Sequence, residues 1–388
     1  MIRLDSIFKE ITLFRITLLS VIFFSGGIQN LNIFITTLIP VLLILILYIR
    51  NRVGIHLSMV KPIIILLLYF YYALLIAHDA EDIKFIGYRI VRFLMAISLV
   101  NYIIYKEVDF FEELYEVLKW IALHGIINFF AANFLFKYFQ PIPETTSSAF
   151  LIFFGTGIDF FYFQRNQGIF WEPGVFQIFL NLFLFINLFF RNKKFPLWII
   201  LALIVSTAST TGMVISLLQL LYYSIISAKM NSRKIILFIL AAPVLFGYFI
   251  LTKNIVEDKL VGSSRGSFWS RSFDTFNGLN IALNNPWGIG FSTVKYQDIA
   301  RNNKYNIDTL IDTDRGQTNS ITTLFYSTGI LWGMFMLYLL YKQTVFTKQK
   351  LLLFGMFIFC LSSEPLFFST FFLIFPITGM VGLPKLIY

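Results

Sequence analysis

Apolar runs long enough for a helix to cross a bilayer's hydrocarbon core, about 20 residues, recur along nearly the whole 388-residue chain. Only 13% of the residues are charged, about half the ~25% of a soluble domain, and 57% are hydrophobic. That balance excludes a water-soluble globule. Lipid offers no partners to backbone N–H and C=O groups, so the runs read as helices, and they lack the alternation of a transmembrane barrel. The expected class is an all-α polytopic integral membrane protein, with residues 1–388 forming one transmembrane domain of about twelve helices.

The spans read as 9–27, 31–49, 62–78, 84–105, 117–139, 173–190, 195–209, 211–228, 234–251, 318–341, 349–362 and 365–383. Two are weakly marked: the one holding Arg15, and the short pair split by Ser206–Gly212. The formal charge of +10 does not imply a nucleic-acid partner, because the bases cluster in short loops. Arg50, Arg52 and Lys61 form one such loop, followed by Arg191, Lys193 and Lys194, then Lys229, Arg233 and Lys234, then Lys342, Lys348 and Lys350. Counting spans puts all four on one face, which the positive-inside rule makes cytoplasmic. Both termini then face the cytoplasm, while 140–172 and the long polar stretch 252–317, between the ninth and tenth spans, lie outside. The first apolar stretch lacks a cleavage pattern and reads as a retained span. Cys360, the one cysteine, lies in an apolar run, so neither a disulfide nor a CxxC pair is expected. No internal repeat is visible, which argues against an inverted-repeat transporter.

Chemistry is concentrated outside. Arg165-Asn166-Gln167-Gly168-Ile169-Phe170-Trp171-Glu172-Pro173 leads into a span whose first turn suits Pro173 and tolerates the Glu172 carboxylate. Arg265 and Trp269 are four apart, on one face of a helix, and Arg271 follows. Guanidinium groups bind phosphate bidentately and stay charged. Asn285-Pro286-Trp287-Gly288-Ile289-Gly290 either ends a helix or brings backbone amides to a ligand. Thr318-Asn319-Ser320 opens a span with free amides that favour an anion. Asp312-Thr313-Asp314 mimics a metal-binding acidic pair, but it reads as external, where nucleotide sugars are absent, and no metal is expected. Arg89 and Arg92 occupy the first turns of the fourth span, and intramembrane Arg is costly unless it works. His124 and Asn128 read as an interhelical hydrogen-bond pair, Ser206–Gly212 as a close-packing run, and Glu364-Pro365 as a turn.

These residues resemble the O-antigen polymerase and O-antigen ligase family of polytopic glycosyltransferases. The likeness rests on four ordered elements covering roughly residues 160–340. They are Arg165-x-x-Gly168-x-Phe170-x-Glu172-Pro173, the Ser/Thr-rich break ending at Gly212, Arg265-x-x-x-Trp269 with Pro286-x-Gly288-x-Gly290, and Thr318-Asn319 with Gly329-Ile330-x-x-Gly333. The resemblance implies a GT-C-like membrane fold and transfer, with inversion, of a glycan from undecaprenyl diphosphate at the outer face of the inner membrane. Its partners would be that lipid-linked oligosaccharide, the bilayer, a chain-length regulator and a flippase, with no cofactor. Arg265 matches the family's functional loop arginine, Glu172 would handle the acceptor hydroxyl, and Arg165 would assist. Arg271, Arg89, Asn319, Trp269, Gly288 and Gly290 would hold diphosphate and glycan. Ligases carry His-Asn where this chain has Thr318-Asn319, which favours the polymerase branch. The ligase, and a flippase of lipid-linked sugars, are the alternatives.

Overall fold

A computed structural model of the chain describes residues 4–26, 33–142, 147–160, 163–190, 195–226, 265–302 and 318–383, with side chains at 4–11, 33–35, 156–160 and 265–270 set aside. The expected ninth span, 234–251, and Asp312-Thr313-Asp314 lie outside the described residues. The described chain is mostly helical. Its fourteen α-helices are α1 Leu4–Gly26, α2 Ile33–Asn51, α3 Val60–Leu75, α4 Ala80–Tyr105, α5 Phe110–Phe134, α6 Pro173–Phe189, α7 Leu197–Ser206, α8 Thr210–Ile226, α9 Arg265–Asn284, α10 Thr293–Arg301, α11 Ser320–Thr328, α12 Ile330–Lys342, α13 Lys350–Ser363 and α14 Thr370–Val381.

Two stretches, Leu57–Leu75 and Phe110–Phe134, are long and apolar enough to cross a membrane by length and composition, and shorter apolar helical stretches of 10–17 residues include Thr12–Gly26, Thr36–Asn51 and Pro173–Phe189. Two features depart from the sequence reading. The expected span 318–341 is two helices, divided at Gly329 with φ +83°. Segment 140–172, read as a loop, holds a four-stranded antiparallel sheet in the order β1 Gln140–Pro141, β2 Ser148–Phe150, β3 Phe153–Phe160 and β4 Phe163–Asn166. The polar stretch 252–317 is helical at α9 and α10, and α9 holds Arg265 and Trp269, which the sequence reading set on one helix.

The chain divides into two compact units where the sequence suggests one domain. The first comprises Met1–Val117, Ser270–Phe354 and Leu361–Tyr388, and the second Leu118–Trp269 and Gly355–Cys360. In the first, α14 is the central helix and packs against α12, α4, α3 and α1. A Cβ at Gly379 of α14 would lie 2.3 Å from the Leu339 carbonyl oxygen of α12, so glycine permits that backbone approach. Arg15, whose charge weakened the first expected span, bonds Glu113 of α5 at 2.6 Å, so its charge is neutralised.

In the second unit α6 is the core: every residue from Pro173 to Leu188 is buried. Such a helix must satisfy its amides internally. Asn181 donates to the Gly212 carbonyl at 3.1 Å, and Gln219 donates to Asn181 Oδ1 at 3.1 Å. Gly212 lies so close to Gln177 that a Cβ would meet it at 2.8 Å, so the Ser206–Gly212 run does bring α8 tightly onto α6.

Candidate active site

In the first unit, a backbone clasp locates the site. The Pro286–Gly290 turn closes α9 and crosses the α11–α12 junction. Ile289 N–H donates to the Tyr326 carbonyl at 2.8 Å, and Ile330 N–H to the Pro286 carbonyl at 2.9 Å. Gly288 (φ +93°) and Gly329 (φ +83°) face each other there, where a Cβ on either would lie 2.8 Å from backbone atoms of the other strand. Both the left-handed backbone and the absent Cβ require glycine. Gly288 N–H donates to the Asn285 carbonyl, so the turn's described hydrogen bonds serve the fold.

The N-terminus of α4 anchors the next few residues. Asp79 caps the helix by accepting from Asp82 N–H at 2.7 Å, which holds its carboxyl below the usual value. Asp82 is fully buried and accepts from the N–H groups of His78, at 2.9 Å, and Phe291. A Cβ at Gly290 would collide with that carboxylate at 2.7 Å. Ser292 donates to Glu81 at 3.0 Å. Burial pushes the neighbouring Lys295 ammonium down, while Asp82 and Asp79 oppose the shift.

Phe291, thus fixed, forms one wall around Arg89. The guanidinium carbon lies 3.4 Å from the Phe291 ring centre and 4.5 Å from that of Phe368, and the two rings meet edge to face at 5.9 Å. Aromatic faces attract a cation without neutralising it. Arg89 Nη1 is buried and has no hydrogen-bond partner. Arg92 lies one turn further along α4, and neither arginine forms an ion pair among the described residues. Both border a cavity of about 250 Å³ that is also lined by Tyr88, Ser292, Tyr296, Ser320, Thr323, Tyr326 and Ser327. Tyr296 and Tyr326 stack there with centroids 5.1 Å apart. Two guanidinium groups without an ion-pair partner among the described residues, set amid hydroxyl groups, offer chemistry that suits an anion.

Asn319 precedes the cavity-lining Ser320, and Arg271 bonds Glu364, which precedes the cavity-lining Pro365. The Asn319 side chain caps α11, accepting from Ile321 and Thr322 N–H, and donates to Thr275 Oγ1 at 2.9 Å. Thr318 donates through both N–H and hydroxyl to buried Asp274, at 3.1 and 2.5 Å. Arg271 bonds Glu364 at 3.2 Å, and Glu364 is 2% exposed. Ser320, at the start of α11, donates to the Leu361 carbonyl at 2.8 Å, which ties α11 to the Glu364-Pro365 turn. Asn319 is therefore a helix cap, and Arg271 is held by a carboxylate that the sequence suggested only as part of a turn.

The second unit holds the other expected set. Arg165 Nε donates to the Thr207 carbonyl at the end of α7, at 3.1 Å. Asn166 donates to Ser206 Oγ and to the Gly125 carbonyl, fixing the motif against α7 and α5. Gly168, with φ +58°, lies against the Phe176 ring. Glu172 is half-buried at the N-cap of α6 with Pro173 in the first turn, as the sequence implied, and its carboxylate makes no capping bond. Gln167 is fully buried with neither amide atom partnered. The helical backbone starts at Arg265, so Trp269 follows one turn later, but both side chains lie outside the described ones.

The structure thus gathers Arg89, Arg271, Asn319, Gly288 and Gly290 in the first unit, and Arg165 and Glu172 in the second. Sequence reasoning missed Asp82, Asp274, Phe291, Tyr326 and Phe368. Phe291 directly follows the glycine turn, but a single Phe among 47 carries no signal. Among the described residues no group of His, Cys, Asp or Glu is arranged to hold a metal ion. No protein-family model matches the chain, and no curated protein or solved structure shows significant similarity to it.

Proposed function

We propose that this chain is a polytopic membrane glycosyltransferase that polymerises a lipid-linked oligosaccharide repeat unit at the outer face of the inner membrane. The observation that carries the reading is the Arg89–Arg92 cavity, with its unpartnered guanidinium nitrogen and hydroxyl lining. The start of α4, residues Phe291–Tyr296, the start of α11 and the turn at Pro365 all border it, and the positive-inside reading puts each of these outside. Large apolar side chains on the outer faces of many helices support a lipid environment, including Ile49, Leu67, Phe134, Trp198 and Leu331.

In the proposed reaction an acceptor hydroxyl oxygen attacks the anomeric carbon from the face opposite the carrier. The bond to the diphosphate oxygen breaks with inversion, and the hydroxyl proton passes to a base, a role that the motif resemblance alone gives to Glu172. Negative charge grows on the departing diphosphate. Preorganised cations stabilise that charge by a few kcal/mol, about 3 for each good donor. Arg89 and Arg92 are the proposed donors, and Arg271 would act as one in exchange with Glu364; the motif resemblance alone gives Arg265 the same role. Thr318 and Asn319 are engaged with Asp274, Thr275 and the start of α11, which suits a polymerase better than a mechanism built on a histidine at Thr318.

Deleting the gene and resolving the surface glycan on a gel tests the reading. A single repeat unit attached to its acceptor, without a ladder, supports the polymerase. Unattached polymer on the carrier lipid would replace it with the ligase, and repeat units trapped facing the cytoplasm would replace it with a flippase.

A further inference from the structure

The small sheet does not stand clear of the helices. It runs along α5, held by side chains that the helix offers at three levels. Asn133 Oδ1 accepts from Gln164 N–H at 2.8 Å. Asn128 both accepts from Phe154 N–H at 2.8 Å and donates to the Phe154 carbonyl at 3.0 Å. His124 Nε2 meets the Ile152 carbonyl at 3.1 Å, and its ring stacks on Phe153 with centroids 5.7 Å apart. His124 and Asn128 thus bond a hairpin backbone, not a neighbouring helix. The β2–β3 turn lies at the level of His124, ~15 Å along α5 from its end at Phe134 at ~1.5 Å per residue.

That depth bears on what the turn meets. Phe110–Phe134 has the length and composition of a membrane span. Its outward stripe is Leu123, Ile127, Phe130 and Phe134, all exposed. The turn itself is the two-residue loop Leu151-Ile152, 81% and 62% exposed, with Leu151 at φ +55°. Such a turn in water is ordinarily Gly, Asn or Asp. Two aliphatic side chains projecting there, alongside an apolar helix face, fit hydrocarbon. Backbone away from helices is tolerated at membrane depth where protein groups satisfy it, as Asn128 and His124 do here.

We propose that the β2–β3 hairpin is re-entrant, with its Leu151-Ile152 tip buried among the lipid chains beside α5. The proposal rests on the reading of α5 as a membrane span, and the test separates the two. Single cysteines would be placed at Leu151, Ile127 and Lys137 in a Cys360→Ser background and the protein reconstituted in phosphatidylcholine–phosphatidylglycerol vesicles. All three positions are exposed in the fold, so the substitutions leave the packing intact. The readouts are reaction with a membrane-impermeant maleimide and quenching of an attached bimane by acyl-chain nitroxides or by iodide. The expected result is that L151C reacts about tenfold or more slower than K137C, since hydrocarbon suppresses the reactive thiolate. Its bimane should be quenched by nitroxide lipids as in I127C. Maleimide reaction and iodide quenching of L151C at the level of K137C, with I127C still in lipid, would overturn the re-entrant hairpin alone. If I127C were also water-accessible, the membrane reading of α5 would fail and the proposal with it.

Discussion

The guanidinium of Arg89 lies flat against Phe291, 3.4 Å from the ring centre, and Phe291 is in turn tethered by its backbone N–H to buried Asp82. The cation is thus positioned by an aromatic face and a remote carboxylate, without an acid beside it to cancel its charge. Removing the cation should be more damaging to chemistry than to folding. Arg89→Ala is expected to abolish the polysaccharide ladder while membrane levels stay near normal. Arg89→Lys, which keeps the charge but not the planar fork, should retain a small fraction of the activity. Arg265→Ala should behave as Arg89→Ala does. Normal ladders would remove the altered residue from the mechanism.

Asp82→Asn should separate positioning from charge. The amide oxygen can still accept from His78 or Phe291, so the fold should survive. Phe291 would be held less firmly under Arg89. Ladders are expected to shorten without disappearing, and ladders of wild-type length would show that the tether is not needed.

The Arg271–Glu364 pair should reveal itself in detergent melting curves. Arg271→Ala leaves a 2%-exposed carboxylate without this partner, an expected cost of about 1–3 kcal/mol. Restoring neutrality with Arg271→Met and Glu364→Gln together should recover most of it. If Arg271→Ala melts at the wild-type temperature, the pair contributes nothing to stability.

At the clasp, Gly329→Ala forces a Cβ to within 2.8 Å of the Pro286 carbonyl oxygen at a φ of +83°. An expected loss of about 2 kcal/mol or more follows from backbone strain alone. Gly355, by contrast, has nothing within 4 Å of its Cβ position, so Gly355→Ala serves as the control that should melt at or above the wild-type temperature.

The cap of α4 carries a pH dependence. The Asp82 N–H holds Asp79 below its ordinary value of 3.8. A depressed carboxyl contributes stability above that ordinary value, and the contribution is lost as pH falls through the lower, folded value. Asp79→Asn keeps a capping oxygen and should melt with a shallower acid dependence, whereas Asp79→Ala should be less stable at neutral pH as well. Identical acid limbs for wild type and Asp79→Asn would remove this carboxyl from the acid response.

Apolar runs made most helices legible, because a span's length and hydropathy are local properties. What escaped was set by partners far away in sequence. Gly329 sits inside a continuous apolar stretch, and only its backbone contact with the Pro286–Gly290 turn shows why the helix divides there. Arg15 looked like a flaw in a span until Glu113, 98 residues on, accounted for it. Strands β2 to β4 are short, rich in Phe and lack a clean alternation, so the segment read as loop. Of the site, the arginines were visible by type. Their aromatic walls were hidden among many other phenylalanines.

One consequence concerns how the second unit comes together. A helix with an outer face can wait in a bilayer for its neighbours; α6, enclosed from Pro173 to Leu188 and carrying Gln177, Asn181 and Asn187, has no such face. Its amides find most of their partners on itself and on α8, with Gln219 and the Gly212 carbonyl prominent among them. Assembly of this part of the chain is therefore expected to be concerted, with α6 reaching its final environment as the surrounding helices close on it, and damage to α8 should destabilise the whole group together.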